Sequence, residues 1–241
     1  MLSIYPKSSI VNIMKRKLDN IPITTTIEEV LEKLRIEEPD DIELITGLFN
    51  KAKEIARPKV LYKEAFVEEV SGDEIRIDDT VFHSKVVAAN LKNVHRVFVY
   101  VCTCGTEVDD WSQGEKDYVV SLWLDMIKEL FLHEASLYFK EYIKSSYRLD
   151  NISAVNPGSG NVDAWDISQQ YLLFDLIGDV KEEIGVELTN TYLMHPIKST
   201  SGLIYPSDTE FVNCALCNRE NCIGRRAEFD AELYAQTFHG V

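Results

Sequence analysis

Asn156-Pro157-Gly158-Ser159-Gly160-Asn161 stands between an extended segment, Ile152 to Val155, and an amphipathic helix that starts near Asp166. Pro157 biases Asn156 towards extended geometry, and the two glycines can take positive φ. A strand-to-helix loop of this composition turns its amide N–H groups towards a carboxylate, a ribose or a phosphate. The same six residues also fit an ordinary tight turn, so the rest of the chain has to decide between the two.

Upstream, Val97 to Val101 is a continuous apolar run whose length and β-branched content suit a buried strand. It runs into Cys102-Thr103-Cys104-Gly105-Thr106 and then a short helix around Glu107 to Trp111. Leu61 to Val70 and Glu74 to Ile77, joined by Ser71-Gly72-Asp73, read as a β-hairpin, and Ser84 to Leu91 as a short helix. Nearer the N-terminus, Ile10 to Asn20 shows no clear period. Ile27 to Leu34, preceded by Thr24-Thr25-Thr26, and Ile42 to Ile55, ended before Pro58, are amphipathic helices that form an N-terminal helical cap over residues 1–58.

Lys116 to Tyr142 carries the longest helical pattern, a core helix on which Glu134 sits either at the polar edge or against a partner. After the glycine loop, Trp165 to Leu176 is helical, with Asp166 at its start. Asp179 to Ile184 is a further turn of helix, and Thr191 to Met194 reads as a strand. His195 to Pro206 is polar in its middle, Ser199-Thr200-Ser201-Gly202, and reads as a loop or irregular strand lining a cleft.

The balance of 25 Lys plus Arg against 40 Asp plus Glu gives a formal net charge of -15, a field that repels nucleic acid and anionic membrane. Met1 to Asn20 has no continuous apolar region, and no run of about 18 apolar residues occurs, so a cytoplasmic protein is expected. Its five cysteines are then expected to be reduced. Cys214, Cys217 and Cys222, spaced C-x2-C-x4-C and followed by Arg225-Arg226, read either as ligands of zinc or an iron–sulfur cluster or as three reduced thiols without metal. A four-ligand site would need Cys102, Cys104 or a histidine as well, and a three-cysteine site would leave one position open.

Taken together, Pro157-Gly158-Ser159-Gly160 leading to Trp165, Ser168 and Gln169-Gln170, then Met194-His195-Pro196 and Ser199-Thr200-Ser201-Gly202, resemble the activation domain of vitamin B12-dependent methionine synthase. The likeness spans about Val60 to Pro206, leaving the N-terminal helices and the cysteine tail outside it. It implies a C-shaped α/β (α+β) domain over residues 59–241, with a mixed, twisted β-sheet flanked by helices. It also implies S-adenosylmethionine bound in a shallow groove and a partner protein that carries cobalamin.

There, oxidised cobalamin is reduced by one electron and remethylated. Site residues carried over by the resemblance are Glu134, Asn156, Pro157, Gly158, Ser159, Gly160, Gly202 and Tyr205. The family loop reads Arg-x-x-Pro-Gly-Tyr, and Ala154 and Ser159 occupy the arginine and tyrosine positions here. No acid, base or nucleophile of the chain's own is identified, because the reactive centre is the partner's cobalt. The expected role is therefore an accessory protein for a methionine synthase or another corrinoid methyltransferase, served by an electron donor. The alternative is a scaffold module that kept the fold, lost the ligand and uses a metal at its cysteine tail.

Overall fold

The computed structural model describes residues 15–159, 164–208, 213–222, 225 and 227–239 of the chain. The stretch without a clear period contributes a strand: β1 (Arg16–Leu18) pairs antiparallel with Val60 to Tyr62. Helices α1 (Ile27–Leu34) and α2 (Pro39–Ile55) follow. Thr26 caps α1 in a reciprocal box, its hydroxyl accepting from Glu29 N while Glu29 accepts from Thr26 N at 2.8 Å.

Strand β2 (Lys59–Ser71) is long enough to use two partners along one edge, β1 first and then β3 (Glu74–Ile77) after an irregularity between Val67 and Glu69. Gly72 takes a φ of 64° in the hairpin turn. A third short strand, β4 (Thr80–His83), extends this arm, and the side-chain amide of Gln169 grips it by bonding both His83 N and His83 O, at 2.7 and 2.6 Å.

Ser84 caps α3 (Lys85–Leu91), which leads to β5 (Arg96–Thr103), α4 (Thr106–Ser112) and α5 (Tyr118–Tyr147). Then come β6 (Ile152–Val155), a 3-10 turn at Ile167–Gln169 started by Asp166, α6 (Gln170–Ile177) and α7 (Val180–Ile184). A two-residue pairing of β7 (Glu187–Leu188) with β8 (Met194–His195) precedes β9 (Ser199–Pro206), and α8 (Ala231–His239) closes the described chain.

The main sheet runs β4-β3-β2-β5-β9-β6, and every described pairing is antiparallel. The α+β class holds, while the mixed sheet implied by resemblance is corrected to an antiparallel one. Two further readings change. Thr191 to Leu193 lies in a turn, with Tyr192 at a φ of 62°, so only Met194 of that stretch is in a strand. Ser199 to Pro206, expected to be irregular, is a regular strand between β5 and β6, because its serines and threonines find partners there. Ser199 Oγ donates to Thr103 Oγ1 at 2.9 Å and Ser201 Oγ to Gln170 Oε1 at 2.9 Å.

Both faces of the sheet are covered. On one, Leu61, Val97, Val99, Val101, Leu203 and Tyr205 pack under α3, α6 and α7. On the other, Tyr62, Phe98, Tyr100, Cys102 and Ile204 pack under Ala135, Phe139 and Ile143 of α5. Helices α1 and α2 rest on α4 and on Ile127 and Phe131 of α5 in a third cluster. No described helix is long and apolar enough to cross a membrane.

A buried ion pair ties α4 to α5: Lys128 Nζ lies 2.8 Å from Asp109 Oδ1 and 2.9 Å from Ser112 Oγ. Removing Asp109 leaves Lys128 with only Asp125, 3.4 Å away and half exposed, as an ion-pair partner in place of the buried one. Asp109→Ala is expected to cost about 3–5 kcal/mol in urea unfolding, and Asp109→Leu combined with Lys128→Met to recover most of that loss.

Candidate functional site: a groove between helix α5 and edge strand β6

Strand β6 is the last in the sheet and pairs with β9 alone in the strand order, so one of its edges is left for other partners. Between that edge and α5 lies a cavity of about 710 Å³, within the range of small-molecule sites. Leu132, His133, Ser136, Leu137 and Lys140 of α5 form one wall; Ile152 to Ala154 and Asn156 to Ser159 form the other. Tyr100 and Ser199 to Ser201 lie at the base, and Tyr192, Leu193, Met194 and Ile197 stand at the far side.

The loop after β6 is shaped by a close approach. Gly202 faces Tyr100 across the β5–β9 ladder, and a Cβ built on it would sit 2.3 Å from Val155 O and 2.5 Å from Asn156 Nδ2. That missing side chain lets Asn156 lie on the strand, where Nδ2 donates to Tyr100 Oη at 2.8 Å and to Ser201 O at 2.7 Å. Gly158 sits at a φ of 71°, its N–H bonding Trp165 O at 2.8 Å and its open side against Ile167. Ser159 N bonds Asn156 O at 3.2 Å. Pro157 is buried beneath the turn, and Gly160 lies outside the described residues.

Asn156, Pro157, Gly158 and Ser159 therefore gather at the groove, with Gly202 beneath them. Two other expected site residues stand apart. Glu134 turns from the groove to the N-terminal segment, where Oε1 accepts from Thr24 N and Thr25 N, each at 2.8 Å, and from the Thr24 hydroxyl. It is held by a partner, and that partner is the chain entering α1. Tyr205 points to the opposite face of the sheet, buried with Leu203 and Val155, its hydroxyl donating to Asn90 Oδ1 at 2.9 Å. The period of two along β9 puts Tyr205 with Leu203 and leaves Ile204 on the α5 face.

Gln170 is a determinant that its position in the sequence hardly announced. Buried in the first turn of α6, it accepts from Ser201 Oγ and donates from Nε2 to Tyr192 O at 2.7 Å, so one amide joins the base of the groove to its far side. A buried amide that bonds at both ends fixes the spacing of what it joins.

The cysteine tail allowed two readings, a metal site or three reduced thiols. Among the described residues, no group of three or more His, Cys, Asp or Glu side chains is placed to hold a metal ion. The loop is organised instead by Arg225, whose guanidinium donates to Cys214 O at 3.4 Å, Cys217 O at 3.2 Å, Ala227 O at 3.1 Å and Arg219 O. These bonds commit the arginine to backbone carbonyls. Cys102 and Cys104 are fully buried within the sheet-and-helix core, and burial pushes each thiol up to about 12. Neither is exposed to complete a site with the tail, which packs through Leu216 and α8 on Val86 and Ala164.

Residues 127–224 match the family model described as vitamin B12 dependent methionine synthase, activation domain. The match runs through Cys222, so the cysteine tail lies inside the family pattern and not beyond it. No curated protein matches the sequence. Among solved structures, the reactivation domain of MetH bound to AdoHcy aligns with a TM-score of 0.61 at 14% identity, covering 83% of this chain and 81% of that one. The fold is thus that of a methionine synthase reactivation domain, and the sequence resemblance holds on both counts.

Two outcomes test this geometry. Gly202→Ala is expected to displace Asn156 and lower the thermal midpoint, whereas Gly47→Ala, at a position where a Cβ meets nothing, should leave it unchanged or slightly raised. Alkylation of the native protein near neutral pH should modify Cys214, Cys217 and Cys222, which are partly exposed, and spare the buried Cys102 and Cys104 until the protein is unfolded. Peptide mass spectrometry reads which thiols reacted.

Proposed function

We propose that the chain binds S-adenosylmethionine in the groove between α5 and β6 and serves the reductive reactivation of a cobalamin-dependent methionine synthase or related corrinoid methyltransferase. The observation that carries this reading is the loop of Asn156 to Ser159, seated by Gly202 at the rim of a cavity of about 710 Å³, in a fold shared with a domain bound to AdoHcy.

The lining suits such a ligand. Leu132, Leu137, Ile167 and Leu193 offer apolar contact for the adenosine and methylene parts, while Asn156, Ser159 and Ser201 present polar groups at one end. S-adenosylmethionine supplies an activated methyl group, and cobalt carried by the partner accepts it after one-electron reduction by a separate donor. The residues of this chain bind, orient and exclude water; none is asked to move a proton. That division fits a groove whose lining contains no cysteine among the described residues.

The apolar rim is consistent with a partner closing over the ligand. Leu137, Ile167, Tyr192, Leu193 and Ile197 are all exposed around the opening. The acidic balance of the chain argues against nucleic acid at this site.

Calorimetric titration with S-adenosylhomocysteine is expected to show saturable binding with one site per chain. Gly158→Leu, which forces a side chain at positive φ against Ile167, should weaken it at least tenfold. A wild-type protein that binds neither S-adenosylmethionine nor S-adenosylhomocysteine would support the scaffold alternative, in which Ala154 and Ser159 mark a lost ligand.

A further inference from the structure

Resting on the ligand reading above, we infer that Asn156 Oδ1 is the acceptor that recognises the α-ammonium group of the ligand's amino-acid end. The direction of its amide is forced. Ser201 O and Tyr100 Oη lie 2.7 and 2.8 Å from Nδ2, and a backbone carbonyl can only accept, so the nitrogen faces the strand and spends both its hydrogens there. Among the described residues Oδ1 accepts no hydrogen bond, and Asn156 lines the groove.

The loop around that oxygen accepts, the reverse of what its glycines suggest. Pro157 has no N–H, the N–H of Gly158 is held by Trp165 O at 2.8 Å, and that of Ser159 by Asn156 O at 3.2 Å. Ser201 Oγ does not donate to the groove either. Gln170 Nε2 is committed to Tyr192 O, which leaves Gln170 Oε1 to take the Ser201 hydroxyl at 2.9 Å. A ligand group seated against Asn156 therefore has to be a donor.

An ammonium that leaves water for a partly enclosed groove needs an acceptor. The carboxylates nearby are already engaged. Glu129, the one acidic residue among the described lining, faces Lys33 at 3.9 Å and Lys198 at 3.5 Å. Glu134 is turned to Thr24 and Thr25. The uncharged oxygen of Asn156 remains, and a charged donor bonds it more strongly than the neutral amine of adenine does.

Calorimetry on the full chain compares S-adenosylhomocysteine with its deamino analogue, in which hydrogen replaces the α-amino group and the carboxylate is kept. Wild type is expected to bind the deamino analogue about tenfold more weakly. Asn156→Ala should weaken S-adenosylhomocysteine about tenfold and leave the deamino analogue within about twofold of its wild-type affinity, so that the preference disappears. A residue that only supports the loop would weaken both ligands alike and keep the preference, which overturns the assignment. Equal binding of the two ligands by wild type also overturns it, and that result needs no variant. S-Inosylhomocysteine, which carries oxygen in place of the adenine amine, is the third ligand. If its disadvantage against S-adenosylhomocysteine is what vanishes in Asn156→Ala, Oδ1 reads the base and the assignment fails. A wild type that binds none of these ligands overturns the parent reading, and the assignment falls with it. Thermal melts of the variant confirm that the fold is intact.

Discussion

Strand β5 has no side that faces water. From Val97 to Thr103 its residues are buried on both faces, and this one constraint arranges much of the molecule around it. A strand of Val, Phe and Tyr is stable in the centre of a sheet only when both faces are covered, each such side chain contributing about 1.5–3 kcal/mol on full burial. The chain meets that need with α3, α6 and α7 on one face and the long α5 on the other. Because β2 and β9 flank β5 and β9 alone bonds β6, the sheet ends on a short strand beside α5. The groove lies between that strand and the Leu132 to Lys140 stretch of the covering helix.

The polar chemistry of the groove depends on a missing Cβ. At Gly202 the sheet surface dips by one side chain, and Asn156 fills the dip, bonding Tyr100 and Ser201. Gln170 links the same strand to Tyr192 at the far side. Two amides, one from the loop after β6 and one from α6, thus tie the base of the groove to its rim. The cysteine tail belongs to the opposite face, packed on α3 through Leu216, and its loop is closed by Arg225.

Much of the secondary structure was legible because its signals are local. The period of the second N-terminal helix, the capping threonine at α1, the β2–β3 hairpin turn at Gly72 and the apolar run of β5 need no distant partner to be read. The errors fall where distant partners decide. β1 is a strand because β2 has a free stretch of edge at Val60 to Tyr62. The polar run Ser199 to Ser201 is a strand because Thr103 and Gln170 satisfy its hydroxyls. Thr191 to Leu193, β-prone in composition, is held in a turn, with Gln170 bonding the carbonyl of Tyr192.

Legible in the sequence alone were the strand–loop–helix step at Asn156 to Ser159, the freedom of glycine at 158, the buried central strand and the likeness to a methionine synthase activation domain, since these rest on backbone freedom, periodicity and motif order. Register and packing in three dimensions put Glu134 on Thr24 and Thr25, turn Tyr205 away from the groove, and seat Asn156 over Gly202. The reason is geometric. Which face of β9 or α5 meets the groove depends on strand register and on how a helix is rotated over the sheet, and both are set by the packing of residues far apart in the chain.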